Sequence, residues 1–226
     1  MNCKQSAGYR FLRKAIQLFT KKIATVWKTP FDGGPSIFVC NHDSAYGPIA
    51  MCAHFELYED TRPWVNAPVL SVREMPAYVR QDFWWEPGKW YSKILDYTVA
   101  YLAAIILPLI LRGSACIPVY HDTRVILTMR SSVDALKNGK HLMLFPENPS
   151  GYRQYDTEIV SGFVSLGRIY YKRTKKPVSF YPTYVDWKGK VITVAEPIIY
   201  DPEMNSNKFV KEVSDKVEDH FLKCTK

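Results

Sequence analysis

Apolar and polar positions follow two rhythms along this chain, and the switches between them mark its elements. Residues 1–28 set Leu12, Ala15, Ile16, Phe19, Ile23, Val26 and Trp27 at helical spacing between basic residues, which predicts an amphipathic helix. Thr29-Pro30-Phe31-Asp32-Gly33-Gly34-Pro35 is a turn cluster. The unbroken apolar run Ser36-Ile37-Phe38-Val39-Cys40 then reads as a short buried strand, and a helix follows from the next turn to about Tyr58. Ala115 to Tyr120 reads as another strand. After it, Ile126, Met129, Val133 and Leu136 form the apolar face of a helix capped by Asp122 or Thr123 and stopped by Asn138-Gly139. His141-Leu142-Met143-Leu144-Phe145 is a strand again, followed by a polar loop from Asn148 to Glu158 and a helix from Ser161 to Thr174. Val178 to Val185 and Val191 to Ala195 are strands joined by a hairpin turn, and Val210, Val213, Val217 and Phe221 face one way on a closing helix. Strand, helix and strand in succession predict an α/β fold: a mixed, mostly parallel sheet flanked by helices, in a single domain over residues 1–226.

Residues 61–112 fit this scheme least and read as an aromatic-rich insertion, with Trp64, Phe83, Trp84, Trp85, Trp90, Tyr91, Tyr97 and Tyr101. Tyr97 to Leu111 contains no charge, yet as a helix it spans only ~22 Å against the ~30 Å of a hydrocarbon core. Pro108 interrupts it. A buried or interfacial helical hairpin is therefore the expectation rather than a membrane span.

Charge sharpens the reading of the N-terminal segment. The chain has a formal net charge of +8, and residues 1–28 hold Lys4, Arg10, Arg13, Lys14, Lys21, Lys22 and Lys28 with no acid. A basic amphipathic helix suits an anionic membrane surface, and equally well packs its apolar stripe on the core while its charges stay solvated. No recognition motif points to nucleic acid. The 5 cysteines are an odd number, widely spread and without metal-ligand spacing, so no metal site is expected and they read as reduced thiols of an intracellular protein.

Two strand ends carry the candidate chemistry. Asn41-His42-Asp43-Ser44-Ala45-Tyr46-Gly47-Pro48 follows the first buried strand, and Pro146-Glu147-Asn148-Pro149 follows the later one. The carboxyl ends of strands are where α/β proteins place their sites, so an imidazole and a carboxylate would share one cleft if the two strands were neighbours.

These stretches resemble the glycerolipid acyltransferases of the 1-acylglycerol-3-phosphate acyltransferase type, which move a fatty acyl group from a thioester to a hydroxyl. Asn41 to Pro48 matches the family's Asn-His-x-Ser-x-x-Asp-Pro except that Gly47 stands at the Asp. Phe145-Pro146-Glu147 matches the start of Phe-Pro-Glu-Gly-Thr, with Asn148 and Pro149 in the last two places. Ile117-Pro118-Val119-Tyr120-His121 is similar to Ile-Pro-Val-Asp-Arg, so His121 stands where an Arg for the acceptor phosphate is expected, with Arg124 close by in sequence. In order and spacing the resemblance covers residues 36–57 and 113–198.

The resemblance implies acyl transfer with His42 as general base and Glu147 in support. Asp43 is the nearest replacement for the missing Asp, with Glu147 and Asp122 as the other carboxylates that could approach. The resemblance also implies substrate contacts from Asn41, Ser44, His121, Arg124, Pro146 and Asn148. It further implies no cofactor beyond an acyl donor on coenzyme A or acyl carrier protein, and a peripheral position on the cytoplasmic face of a membrane. Two alternatives stand beside this: a catalytically impaired lipid or acyl-carrier binding protein on the same fold, and a covalent route through Cys40 with His42 as its base.

Overall fold

The computed structural model describes residues 4–42, 46–81, 86, 88–151 and 154–225. In chain order its elements are α1 (Ala7–Phe19), β1 (Ala24–Trp27), β2 (Ser36–Cys40), α2 (Tyr46–His54), β3 (Thr61–Asn66), α3 (Met75–Gln81), α4 (Ser92–Tyr97) and α5 (Val99–Arg112). They continue with β4 (Ile117–Val119), α6 (Val125–Lys137), β5 (His141–Leu144), β6 (Glu147–Gly151), β7 (Gln154–Ile159), α7 (Ser165–Thr174), β8 (Ser179–Asp186), β9 (Val191–Val194), β10 (Ile198–Ile199) and α8 (Ser206–Cys224).

The main sheet runs β1-β9-β8-β2-β5-β3-β4, with β10 paired to β8 at the side. From β8 through β2, β5 and β3 to β4 every pairing is parallel; β9 is antiparallel to β8, and β1 is parallel to β9. This is the mixed, mostly parallel α/β sheet expected from the sequence. Because β2 is covered on both faces, all of its residues are buried, which is why it carries an unbroken apolar run instead of an alternating one. Ile37 and Val39 pack on one side with α6, α7 and α8, through Val133, Leu136, Leu166, Phe209, Val213 and Val217. Phe38 and Cys40 point the other way, toward Tyr9 of α1, Ala50 and Met51 of α2, and Phe55. A separate small core joins α3 to α5 through Met75, Val79, Ala100 and Ala104.

Several expectations are corrected. The N-terminal helix does not run to residue 28. It ends at Phe19, where Thr20 takes an extended conformation and its amide and hydroxyl both donate to the Ile16 carbonyl. Ala24–Trp27, rich in β-branched and aromatic side chains, instead pairs with β9. Within 61–112, Thr61–Asn66 is a strand of the main sheet, between β5 and β4. Its Pro63 is tolerated because the strand changes partners there: Thr61 to Pro63 pair with β5, and Trp64 to Asn66 pair with β4. The helix after β2 stops at His54, short of Tyr58. The segment after Phe145, expected as a loop, forms the antiparallel β6-β7 ribbon.

Among the described residues no helix is long and apolar enough to cross a membrane. Cys40, Cys52, Cys116 and Cys224 are free thiols, while Cys3 lies outside the described residues.

Candidate functional site

β2 and β5 are neighbours in parallel, with Ile37, Phe38 and Val39 opposite Leu142, Met143 and Leu144. Two strands in that register must release their following residues side by side at the same edge of the sheet. The Glu147 carboxylate accordingly accepts a hydrogen bond from the His42 backbone amide, at 2.5 Å from Oε2. The rings of His42 and Phe145 meet edge to face with centroids 5.4 Å apart. Glu147 is itself fixed at the root of the ribbon, opposite Ile159, and the next amide, that of Val160, donates to the Pro146 carbonyl at 2.9 Å.

Asn41 is buried and its side chain serves the frame. Its Nδ2 donates to the Val185 carbonyl at 3.2 Å and its Oδ1 accepts from the Val185 amide at 2.6 Å, prolonging the β2-β8 ladder by one rung. His42 therefore leaves the sheet from a clamped position. On its far side, the Gly47 amide donates to the His42 carbonyl at 3.1 Å. A Cβ on residue 47 would lie 2.4 Å from that carbonyl oxygen and 2.6 Å from the Asn41 oxygen, both backbone atoms. Glycine is thus required by close approach, and an Asp side chain has no room in this turn. Asp43 and Ser44 lie outside the described residues.

Cys40 is wholly buried among Phe38, Met51 and Phe55. Burial pushes its thiol well above the usual range, with Cys52 and Glu147 adding to the effect. A thiolate is disfavoured there, so the covalent route through Cys40 loses its nucleophile. His54, on α2, accepts or donates to the Thr20 hydroxyl through Nε2 at 2.8 Å and is a structural partner of α1.

The second group of candidate residues lies at the same edge of the sheet but farther along. His121 Nε2 is 3.1 Å from Asn66 Oδ1. Arg124 forks onto the Asp122 carboxylate, with Nε at 3.0 Å from both oxygens and Nη2 at 2.7 Å from Oδ2, and lies over the Tyr120 ring at 4.5 Å. The Arg124 guanidinium holds the Asp122 carboxyl below its usual range. Tyr120, His121, Asp122 and Arg124 line an open cleft of about 620 Å³ together with Ala67, Pro68, Leu70, Ser71 and Arg112, whose guanidinium donates twice to the Leu70 carbonyl. With β5 between β2 and β3, and β4 beyond, neighbouring strands ~4.8 Å apart separate the cleft from His42 by ~10–14 Å. His121 and Arg124 are thus brought to the edge that bears His42 and Glu147, but not into contact with them.

Asn148 is exposed on β6, and Pro146, just before the strand, is buried. Ser71 and Arg112 of the cleft, and Asn66 that bonds His121 beside it, were not singled out from the sequence; the signal for Asn66 and Ser71 is the strand Thr61–Asn66, whose end leads to this edge, whereas Arg112 arrives on the end of α5. Among the described residues no cluster of His, Cys, Asp and Glu could hold a metal ion.

No family model matches the sequence, and no curated protein matches it. Among solved structures, the chain is similar to the crystal structure of the 1-acyl-sn-glycerophosphate (LPA) acyltransferase, PlsC, from Thermotoga maritima, at 16% identity and a TM-score of 0.45, over 94% of this chain and 80% of that one.

Proposed function

We propose that this chain is an O-acyltransferase that moves a fatty acyl group from a thioester to a hydroxyl of a lysophospholipid or related acceptor. The observation that carries the reading is the bond between the His42 amide and the Glu147 carboxylate, which ties the two strand-end motifs into one site. In the reaction the His42 imidazole takes the proton of the acceptor hydroxyl as its oxygen attacks the thioester carbonyl. The C–S bond breaks, and the proton passes to the departing thiolate, leaving an ester and a free thiol. The positive end of α2, which begins just after the His42 turn, supports the oxyanion.

Gly47 supplies no carboxylate to the imidazole. Glu147 takes over part of that role: bound to the backbone of the same residue, its charge favours the imidazolium that forms during transfer. Asp43, adjacent in sequence, is the other carboxylate assigned to this role. The cleft bearing His121 and Arg124 receives the anionic end of the acceptor, and the ~10–14 Å between cleft and base suits an elongated, two-ended substrate. The donor is an acyl thioester of coenzyme A or acyl carrier protein. The protein works peripherally on the cytoplasmic face of a membrane, with the basic helix α1 toward the lipid.

The test offers long-chain acyl-coenzyme A and mixed lipid acceptors to purified protein, follows thiol release, and identifies the acylated lipid by mass spectrometry. His42→Ala is expected to lower the rate by ~10²–10⁴. Acyl lipid retained by the protein, with no product above the His42→Ala background, would move the assignment to the binding protein that Gly47 favours.

A further inference from the structure

Helix α5 has no polar face. From Val99 to Leu111 its only polar side-chain atom is the Tyr101 hydroxyl. A helix apolar on all sides is ordinarily enclosed by protein or by lipid. Here protein encloses one side: Ala100, Ala104 and Pro108 are buried, the first two against Met75 and Val79 of α3. The opposite stripe is open, with Leu102, Ile105 and Leu109 exposed by 58%, 58% and 66%. These follow one another at helical spacing and so form a continuous ridge. Tyr97, the last residue of α4, and Trp90, just before α4, are exposed as well, by 70% and 83%.

We propose that this ridge is a membrane-docking surface that enters the outer part of an anionic bilayer leaflet. Three features select lipid over a second copy of the chain. First, α5 has 14 residues, ~21 Å of helix, so it cannot span the ~30 Å hydrocarbon core but can lie along its boundary. Second, the exposed amphipathic rings of Trp90 and Tyr97 precede α5 in the chain and that of Tyr101 lies on it, as suits the headgroup level. Third, the basic helix α1 begins against the end of α5. The Ser6 amide donates to the Gly113 carbonyl at 2.9 Å, and a Cβ on Gly113 would meet the Ser6 hydroxyl at 2.6 Å. Arg10 and Lys14 are exposed on α1, and the open Phe11 lies between them. Cations near an apolar ridge complement anionic headgroups, whereas a symmetric dimer through this face would bring two like-charged surfaces together. Arg112, the last residue of α5, lines the cleft, so the docked helix would end at the mouth of the proposed acceptor site. The docking itself does not rest on the acyltransferase reading.

The experiment is vesicle flotation of the full chain with phosphatidylcholine alone and with phosphatidylcholine containing phosphatidylglycerol, without donor or acceptor. The wild type is expected to float with the anionic vesicles, and the triple variant Leu102→Glu, Ile105→Glu, Leu109→Glu to partition roughly a hundredfold more weakly. All three positions are exposed, and an unchanged circular dichroism spectrum verifies the fold. His42→Ala is expected to float as the wild type does, which keeps failure of the docking separate from failure of the catalytic reading. The proposal is overturned if the folded triple variant floats like the wild type, or if the wild type stays unbound as a dimer that the triple variant converts to monomer.

Discussion

Gly47→Asp restores the residue that the resemblance calls for, and it is expected to damage the protein rather than improve it. The Cβ common to every other side chain would lie 2.4 Å from the His42 oxygen, 2.6 Å from the Asn41 oxygen and 2.8 Å from the His42 carbonyl carbon. Relief requires a backbone shift of about 0.5–1 Å, because overpacked groups in a filled site cannot reach a new rotamer when the obstacle is main chain. The segment that must shift is tied down. Asn41 makes two side-chain bonds to Val185, the His42 amide bonds Glu147, and the Gly47 amide bonds the His42 carbonyl. Overpacking costs about 1–3 kcal/mol and each weakened bond about 1 kcal/mol, so a loss of ~2–4 kcal/mol is expected. For a chain of this size that lowers the thermal midpoint by roughly 5–15 °C. Gly47→Ala separates the steric cause from the charge, since it adds the same Cβ and no carboxylate. Both variants should melt lower by similar amounts and lose His42-dependent thioester cleavage together. A Gly47→Ala midpoint equal to wild type, or faster acyl transfer by Gly47→Asp, would refute the argument.

Asn41→Ala would strand the amide and carbonyl of Val185 in a buried position, at a cost of about 2–4 kcal/mol. Thermal denaturation should register it as a drop of roughly 5–15 °C, and an unchanged midpoint would mean the Asn41 clamp is not a structural bond. Histidines buried in the neutral form contribute to acid sensitivity just below neutral pH. His141 packs against Phe31 and Phe38 and its Nδ1 has no hydrogen-bond partner among the described residues. Burial lowers its affinity for a proton, Lys140 adds to that, and Asp60 and Asp32 oppose it without reversing the direction. His220 is lowered in the same way, by burial first. The unfolded chain binds these protons near the ordinary value of 6.5, before the folded one does, so stability is intact above that pH and declines as pH falls toward the lower folded values. Melting curves from about pH 7.5 to 5.5 should therefore show a falling midpoint, and His141→Gln, if it folds, should flatten the fall. A midpoint that rises on acidification contradicts the sign.

What the sequence made legible follows from how locally each feature is encoded. β2 and β5 stand out because a strand covered on both faces must be apolar throughout, and that alone sets His42 and Glu147 at strand ends. Their adjacency is not local. It depends on β3 entering the sheet beyond β5, so that β5 and β2 are left as neighbours. β3 was hidden because Arg62 and Pro63 break its apolar pattern: the first is buried with its guanidinium on the Thr61 carbonyl, and the second sits where the strand changes partners. With β3 unread, the cleft formed by its end could not be seen, although His121 and Arg124 at that cleft could. Gly47 is the sharpest case. As a letter in a motif it is a lost carboxylate, whereas in the folded turn it is the residue that lets the α2 end approach the His42 carbonyl. Where the motif that it resembles has a side-chain carboxylate five positions past the His, this turn has a carboxylate from the neighbouring strand in exchange, bound to the backbone of the His itself. If that exchange is functional, then Glu147→Gln, which keeps the shape and removes the charge, must cost activity while leaving the fold in place.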